Sequence, residues 1–325
     1  MKKRIFGLIL TLVMLLSFFC ACADDTIKST DEELKVVGNC GDYEVTYQEL
    51  RYLTMTYKAL LSQKYGDDIF SSVSSEYIGE YINELETAVV KQLTEDYASL
   101  AEFEANGIAL DDSVTEDYVD AMVEELKLRY GGIDGYAAYI KECYMTDELV
   151  RSKYAFEHCF DRYYDIIAKE YDREAYDAVL GKEGFVRVRS IFIRNDKGEK
   201  IETNRANAER VRNEIAAGAS IEDYIGTRYN QDPSNCDYYF MEDYFERIYG
   251  ISLEIGEVSP VIEIDDCLYI IQRVELDEAY FELNIESCKQ KYIVDKIYKF
   301  IDERASKMKF EFNEYGKSID LWTME

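Results

Sequence analysis

The stretch GEVSPVIEIDDCLYIIQRVE, Gly256–Glu275, decides the fold, and it holds Pro260, one of only two prolines in the 325-residue chain. Its second half has the character of a β-strand, in which successive side chains point to opposite faces. Tyr269 and Ile271 would then share one face, and Ile270 would lie on the other. The stretch predicts a turn followed by a sheet strand, and it raises the question of what Tyr269 does.

The residues upstream predict the rest of a compact α+β domain. FVRVRSIFIR, residues 185–194, is β-rich, and the helix that follows carries Ala208, Val211 and Ile215 on one face. A second helix opens at SIEDYIG and loses helical character at Asp232-Pro233. Strand, helices and strand within about ninety residues favour one small mixed domain inserted between helical segments.

The N-terminal half of the chain predicts a helical domain. LKVVGNCGDYEVTYQEL, residues 34–50, indicates two short strands leading into a helix, where Thr46 and Glu49 have capping-box spacing. The pattern stays largely helical to about Glu170, with Thr146 as a predicted N-cap. An apolar stripe at three- and four-residue spacing marks one of these helices: Ile82, Leu85, Val89, Leu93 and Tyr97.

A long helical stretch follows Asp277 and runs through Met308. The predicted fold class is therefore α+β. Residues 34–180 form a helical domain, residues 181–276 form the inserted α+β domain, and residues 277–325 form a C-terminal helix that packs back onto the helical domain.

The N-terminus predicts export. The charged start Lys2–Arg4 precedes nineteen uncharged residues, 5–23, as in the n- and h-regions of a signal sequence. Cys22 follows a small residue in SFFCACADD, which resembles the lipobox of bacterial lipoproteins. Residues 1–21 would then be a signal peptide and 22–33 a tether. An uncleaved anchor is the alternative, since nineteen residues can just span a bilayer. Both place the rest of the chain outside the cytoplasm.

The net charge limits the classes of molecule that the chain is expected to bind. With 37 Lys and Arg against 66 Asp and Glu, the formal net charge is −29. Such a surface repels nucleic acid and anionic lipid headgroups, so neither is predicted as a partner. It suits cationic or unfolded client proteins, or solubility alone.

Cysteine and histidine exclude several site classes. No CxxC occurs, so neither a zinc site nor a redox motif is indicated, and disulfides and buried thiols both stay open. His158 is the single histidine, which excludes a multi-histidine metal site within one chain. No phosphate loop or dinucleotide fingerprint is present. The sequence predicts no metal and no cofactor.

The inserted domain resembles a known family in three pieces: VRVRSIFI, ANAERVRNEIAAGASIEDYIGTRYNQDPSN and IGEVSPVIEIDDCLYIIQRVE. They are similar, in order and spacing, to the parvulin-type peptidyl-prolyl isomerases. VVGNCGDYEVTYQEL and GGIDGYAAYIKECYMTDELVR look like the helical chaperone domain of the exported foldase lipoproteins of the PrsA and SurA kind. The resemblance covers nearly the whole mature chain.

The resemblance implies a site. Parvulins hold a substrate proline in an apolar pocket beside a polar cluster, typically two histidines with a cysteine or aspartate. Asp232 matches the acidic position, and the two histidine positions fall on Ser190 and Tyr269. Met241 and Phe245 keep the spacing of the proline-pocket Met and Phe, which is also the spacing of one helix face. Tyrosine is equally an ordinary strand residue.

The resemblance implies an extracytoplasmic foldase that acts on unfolded or partly folded exported proteins and is held at the membrane by a lipid. Lowering the barrier of about 18–20 kcal/mol to rotation about X–Pro bonds needs only preference for the twisted amide. The substituted histidines leave three hypotheses: a prolyl isomerase of weak activity, a non-catalytic chaperone, or a surface lipoprotein that binds a small ligand.

Overall fold

The chain falls into two units in a computed structural model. Unit 1 contains the described residues up to Asp165 together with Phe300–Glu325, and unit 2 is Ile166–Lys299. Helices accompany a small sheet in each unit, which confirms the predicted α+β class. The structure describes residues 28–66, 69–72, 78–194, 201–227, 236–264 and 267–325.

The secondary-structure elements are numbered along the chain. The strands are β1 Val36–Cys40, β2 Tyr43–Thr46, β3 Phe185–Arg194, β4 Asp237–Met241, β5 Ile262–Ile264, β6 Cys267–Val274 and β7 Phe310–Phe312. The helices are α1 Tyr47–Tyr65, α2 Ile69–Ser72, α3 Ile78–Ala105, α4 Ser113–Arg129, α5 Ile133–Glu142, α6 Asp147–Glu170, α7 Asp172–Gly181, α8 Ile201–Ala216, α9 Glu242–Tyr249, α10 Glu278–Leu283 and α11 Ile285–Ala305.

Helix starts in unit 1 follow local capping chemistry. Thr46 and Glu49 form the predicted capping box at α1, with the Glu49 carboxylate accepting the Thr46 N–H at 2.8 Å. The Thr146 hydroxyl caps α6 as predicted. At α4 the cap is Asp112, which accepts a backbone N–H at 2.9 Å, and Ser113 is the first helical residue. A carboxylate there also complements the positive end of the helix dipole.

The core of unit 1 lies where α1 and α3 meet the first sheet. The predicted stripe on α3 is confirmed, since Leu85, Val89, Leu93 and Tyr97 are all buried. The sheet has the order β2-β1-β7 with both pairs antiparallel. Strand β7 was not predicted from the sequence, and it completes the sheet from the far end of the chain.

Unit 2 is built on a four-stranded antiparallel sheet of order β4-β3-β6-β5. The strands expected at the two ends of the inserted domain are β3 and β6, and they pair side by side at the centre of the sheet. The predicted apolar face of α8 packs on one side of this sheet. Its residues Ala208, Val211 and Ile215 share a buried cluster with Ile191 and Ile270.

Two predicted helices differ in length from the structure. The stretch after Ser220 forms only a 3-10 helix, Ile221–Asp223, and Gly226 has φ +76°, a left-handed conformation that ends helical geometry. The stretch after Asp277 is two helices, since the chain leaves helical conformation at Asn284, where φ is −127°. The interruption separates α10 from α11.

Buried cysteines occur in both units. Cys40 and Cys159 in unit 1 and Cys288 in unit 2 are unbridged and 0% exposed. Burial raises the pKa of each of these thiols. Of the two possibilities left open by the sequence, these three residues are buried thiols.

Within the part of the chain that the structure describes, no helix combines the length and the apolar character needed to cross a membrane. The predicted signal peptide and Cys22 lie outside the described residues.

A polar cluster lies between α1 and α3. Gln92 Nε2 donates to the Asp96 carboxylate at 2.7 Å, and the Tyr57 hydroxyl donates to Gln92 Oε1 at 3.2 Å. Burial raises the pKa of Asp96 from 3.8 to about 6, although the charge of Lys153 acts in the opposite direction. The ionised Asp96 therefore destabilises unit 1 near neutral pH.

We predict that Asp96→Asn raises the free energy of unfolding by about 2 kcal/mol at about pH 7.5. The folded state binds the Asp96 proton more tightly than the unfolded chain does. The native free energy of unfolding should therefore fall as the pH rises from 3.8 to about 6, and stay low above that. Urea unfolding at several pH values should show this fall in the native chain and its loss in the variant.

The matched control is Asp117→Asn, which alters an exposed carboxylate on α4. It should change the free energy of unfolding by less than about 0.5 kcal/mol. Equal effects of the two variants on the free energy of unfolding would contradict the conclusion that ionised Asp96 destabilises unit 1.

Candidate functional site

One face of the four-stranded sheet carries most of the predicted site. Side chains alternate along a strand, and residues opposite each other in the ladder share a face. Ser190 lies opposite Ile271, and Phe192 lies opposite Tyr269. These four residues therefore belong to one face, which continues onto β4 and is covered in part by α9; we call it the aromatic face.

The aromatic face is apolar at its base and aromatic at its surface. Val186, Val188 and Ile271 are buried in one cluster with Phe245 and Leu253. The half-buried rings around this base are Phe192, Tyr238, Phe240, Tyr249 and Tyr269.

The rings on this face pack against each other. The Phe245 centroid is 5.0 Å from Tyr249 and 5.8 Å from Phe240, and Phe192 is 6.0 Å from Tyr269. These separations are those of favourable aromatic pairs. Burial raises the pKa of Tyr249 to about 12, so its hydroxyl stays neutral and can donate a hydrogen bond at any physiological pH.

The Ser190 hydroxyl is a polar group at the base of this face. Ser190 is 4% exposed, and its Oγ has no hydrogen-bond partner among the described residues. Ser190 Oγ therefore makes no hydrogen bond with Tyr269, the other residue at a histidine position. An unpartnered buried hydroxyl costs about 1–3 kcal/mol, so Ser190 is kept at a cost to stability.

Met241 and Phe245 lie on opposite sides of the sheet. Met241 is the last residue of β4, opposite Phe185, and it packs in a separate buried cluster with Tyr239 and Phe281. Phe245 is in α9, which packs on the aromatic face. The described structure therefore does not bring the two predicted pocket residues together, and their four-residue spacing is not one helix face either.

Asp232 lies outside the described residues. The chain re-enters the described part at Cys236, whose carbonyl accepts the Ser190 N–H at 2.9 Å.

Two neighbours of Ser190 were missed by sequence reasoning. The Cys236 thiol is 3.7 Å from Arg189 Nη2, which also donates to Glu222 at 2.7 Å. Arg189 Nε is buried and has no partner among the described residues. Cys236 adjoins Ser190 through the Ser190 N–H bond to its carbonyl, which the sequence does not reveal, whereas side-chain alternation assigns Arg189 to the other face of β3.

The chemistry available here is hydrogen bonding and apolar contact. The chain's single histidine is His158, in α6, so no imidazole from this chain lies on the aromatic face. Over the described ranges, no group of three or more His, Cys, Asp or Glu side chains is arranged to hold a metal ion.

No family model and no curated protein matches the chain. Several solved structures of foldases are similar to the chain. The foldase protein PrsA from Streptococcus pneumoniae is 16% identical, with 71% of this chain and 87% of that chain covered and a TM-score of 0.32. PrsA from Bacillus subtilis is 17% identical, with 85% and 91% covered and a TM-score of 0.25.

The foldase protein PrsA from Lactococcus lactis is 16% identical, with 89% of this chain and 97% of that chain covered and a TM-score of 0.27. The foldase group that the sequence resembles is thus found among the solved structures to which this chain is similar. At these identities and TM-scores the likeness says nothing about activity.

We predict that Ser190→Ala leaves the free energy of unfolding unchanged or raises it by about 1 kcal/mol, because it removes an unpartnered buried hydroxyl. The matched control is Ser259→Ala. Ser259 is 0% exposed, and its hydroxyl accepts the Ile271 N–H at 3.0 Å and donates to the Pro260 carbonyl at 2.7 Å. Its loss should lower the free energy of unfolding by about 1–3 kcal/mol.

Urea unfolding of both variants measures the difference. A loss for Ser190→Ala as large as that for Ser259→Ala would show that the Ser190 hydroxyl is hydrogen-bonded in solution.

Proposed function

We propose that the chain is an extracytoplasmic foldase, anchored by a lipid on Cys22, that assists the folding of exported proteins through its parvulin-like unit 2. The observation that carries the proposal is the aromatic face, where five half-buried rings surround an apolar base. Unfolded proteins expose apolar and aromatic side chains, and a surface of this kind can bind them without reading a specific sequence.

Tyrosine suits this task better than a purely apolar residue. Each ring offers apolar area, and its hydroxyl exchanges hydrogen bonds with water or with a client backbone. Tyr238, Tyr249 and Tyr269 are the tyrosines of the aromatic face. The formal charge of −29 keeps the protein soluble while this surface stays partly open.

Prolyl isomerisation is proposed as a weak activity at most. Ser190 and Tyr269 occupy the positions that match the family's histidines, and they make no hydrogen bond with each other. Apolar contact with a substrate proline still favours a twisted, partly desolvated amide. Catalysis by this contact alone is expected, but its rate enhancement should be small. If the isomerase activity is zero, the chain is a non-catalytic chaperone, which is the alternative within the same proposal.

We predict that the chain without its signal peptide suppresses aggregation of a denatured client protein. Tyr269→Ala should raise the concentration needed for half-maximal suppression at least about five-fold, because it removes a half-buried ring from the binding surface. Light scattering of the diluted client measures this.

The matched control is Tyr224→Ala. Tyr224 is also half-buried, but it packs on the opposite face of the sheet, with its hydroxyl bonded to Glu214 at 2.6 Å. Equal losses in the two variants would contradict a binding role for the aromatic face. A proline-limited refolding assay on the same samples tests isomerase activity. A rate at the uncatalysed value would leave the non-catalytic chaperone.

We predict that Cys22→Ala abolishes incorporation of labelled fatty acid in the exporting cell and releases the protein from the membrane fraction. Cys20→Ala is the control, because Cys20 follows the bulky Phe19 and should remain dispensable. Labelling that survives Cys22→Ala would contradict the lipid anchor on that residue.

A further inference from the structure

The last described segment of unit 1, residues 319–325, packs its apolar side chains against α1 and α2, and we call the surface that it covers there the groove. Its side chains Leu321, Trp322 and Met324 are only 4%, 7% and 6% exposed. They belong to the same buried cluster as Leu61 and Ile69. Segment 319–325 is nevertheless neither helix nor strand.

Cationic side chains hold segment 319–325 by its backbone. Lys58 Nζ donates to the Trp322 carbonyl at 3.0 Å and to the Met324 carbonyl at 2.6 Å. Arg51 Nε donates to the Glu325 carbonyl at 3.0 Å. Both cations project from α1. Backbone carbonyls are present in every polypeptide, so another segment could accept the same hydrogen bonds, whereas the charges of Asp320 and Glu325, which also act on Lys58, are specific to this segment.

The aromatic contact below the segment comes from Phe70. The Trp322 ring lies 4.5 Å from the Phe70 ring on α2, and Lys58 lies 4.7 Å over the same Phe70 ring. Contacts of this kind need a bulky apolar or aromatic side chain and a free carbonyl.

Segment 319–325 differs from the neighbouring strand in how it is held. Strand β7 is fixed by a ladder to β1. None of the described strand pairings includes residues 319–325. Its own turn is made locally, with the Trp322 N–H donating to Asp320 at 2.9 Å. Release of the segment therefore breaks side-chain contacts and the hydrogen bonds from Lys58 and Arg51, but no sheet hydrogen bonds.

We propose that this groove of unit 1 is a second client-binding site, and that segment 319–325 fills it in the free protein until an apolar client segment displaces it. This inference rests on the proposed foldase function. Its occupant is a segment of an unfolded protein with bulky apolar side chains, of the same chemistry as Leu321, Trp322 and Met324. The segment shields the groove from water and from other copies of the chain while no client is present.

The chain provides its own reporter, because Trp322 is its only tryptophan. The full chain would be titrated with a reduced and alkylated protein that contains no tryptophan. Displacement of the segment moves Trp322 into water, so its emission should shift to longer wavelength and acrylamide quenching should increase, with saturation. Client binding is followed in parallel by anisotropy of a label on the client.

Met324→Ala weakens segment 319–325 without changing the groove. It should lower the client concentration for half-maximal displacement about ten-fold, because the competing segment loses a buried side chain. Thr323→Ala is the matched control, since Thr323 is exposed in the same segment and its change should have no effect. Circular dichroism confirms that both variants are folded.

Client binding with unchanged Trp322 emission would overturn the inference. If the client does not bind at all, the proposed function fails. Binding of a labelled peptide of residues 317–325 then tests separately whether the groove can exchange its occupant. Peptide binding that is about ten-fold tighter to Met324→Ala than to the native chain would support an exchangeable groove. No tightening would overturn it.

Discussion

The pairing of β1 with β7 is the interaction on which unit 1 depends. It requires a very close approach of two segments from opposite ends of the chain. A Cβ atom on Gly38 would lie 2.5 Å from the Glu311 carbonyl oxygen, and one on Gly316 would lie 2.0 Å from the Val37 carbonyl oxygen. A side chain at Gly38 would push β7 away from β1, and one at Gly316 would push the 3-10 turn that follows β7 away from β1. Because unit 2 is inserted between these ends, the pairing also returns the chain to unit 1 after unit 2.

The aromatic face offers apolar contact and hydrogen bonding. Its described residues supply an apolar base, packed rings and a buried hydroxyl, and the single histidine of the chain lies in α6. Binding of an unfolded segment needs area and adaptable hydrogen bonds, and it does not need a titrating group.

Local features of the fold were predictable from the sequence, and long-range features were not. The capping box at Thr46, the buried stripe of α3 and the strands β3 and β6 follow from patterns within a few residues. Strand β7 is three residues long, and its partner lies some 270 positions away, so no local signal marks it. Four-residue spacing grouped Met241 with Phe245, but sheet alternation at the end of β4 sends Met241 to the other face.

Burial of the thiols determines when they can react with oxidants. The thiolate is the form that attacks disulfides, and the raised pKa values keep Cys40, Cys159 and Cys288 protonated while they are covered. Oxidation of these residues therefore has to wait for local opening. Alkylation of Cys40 or Cys159 would record an opening of unit 1, and alkylation of Cys288 an opening of unit 2. Alkylation of the buried cysteines therefore reports the opening of each unit separately.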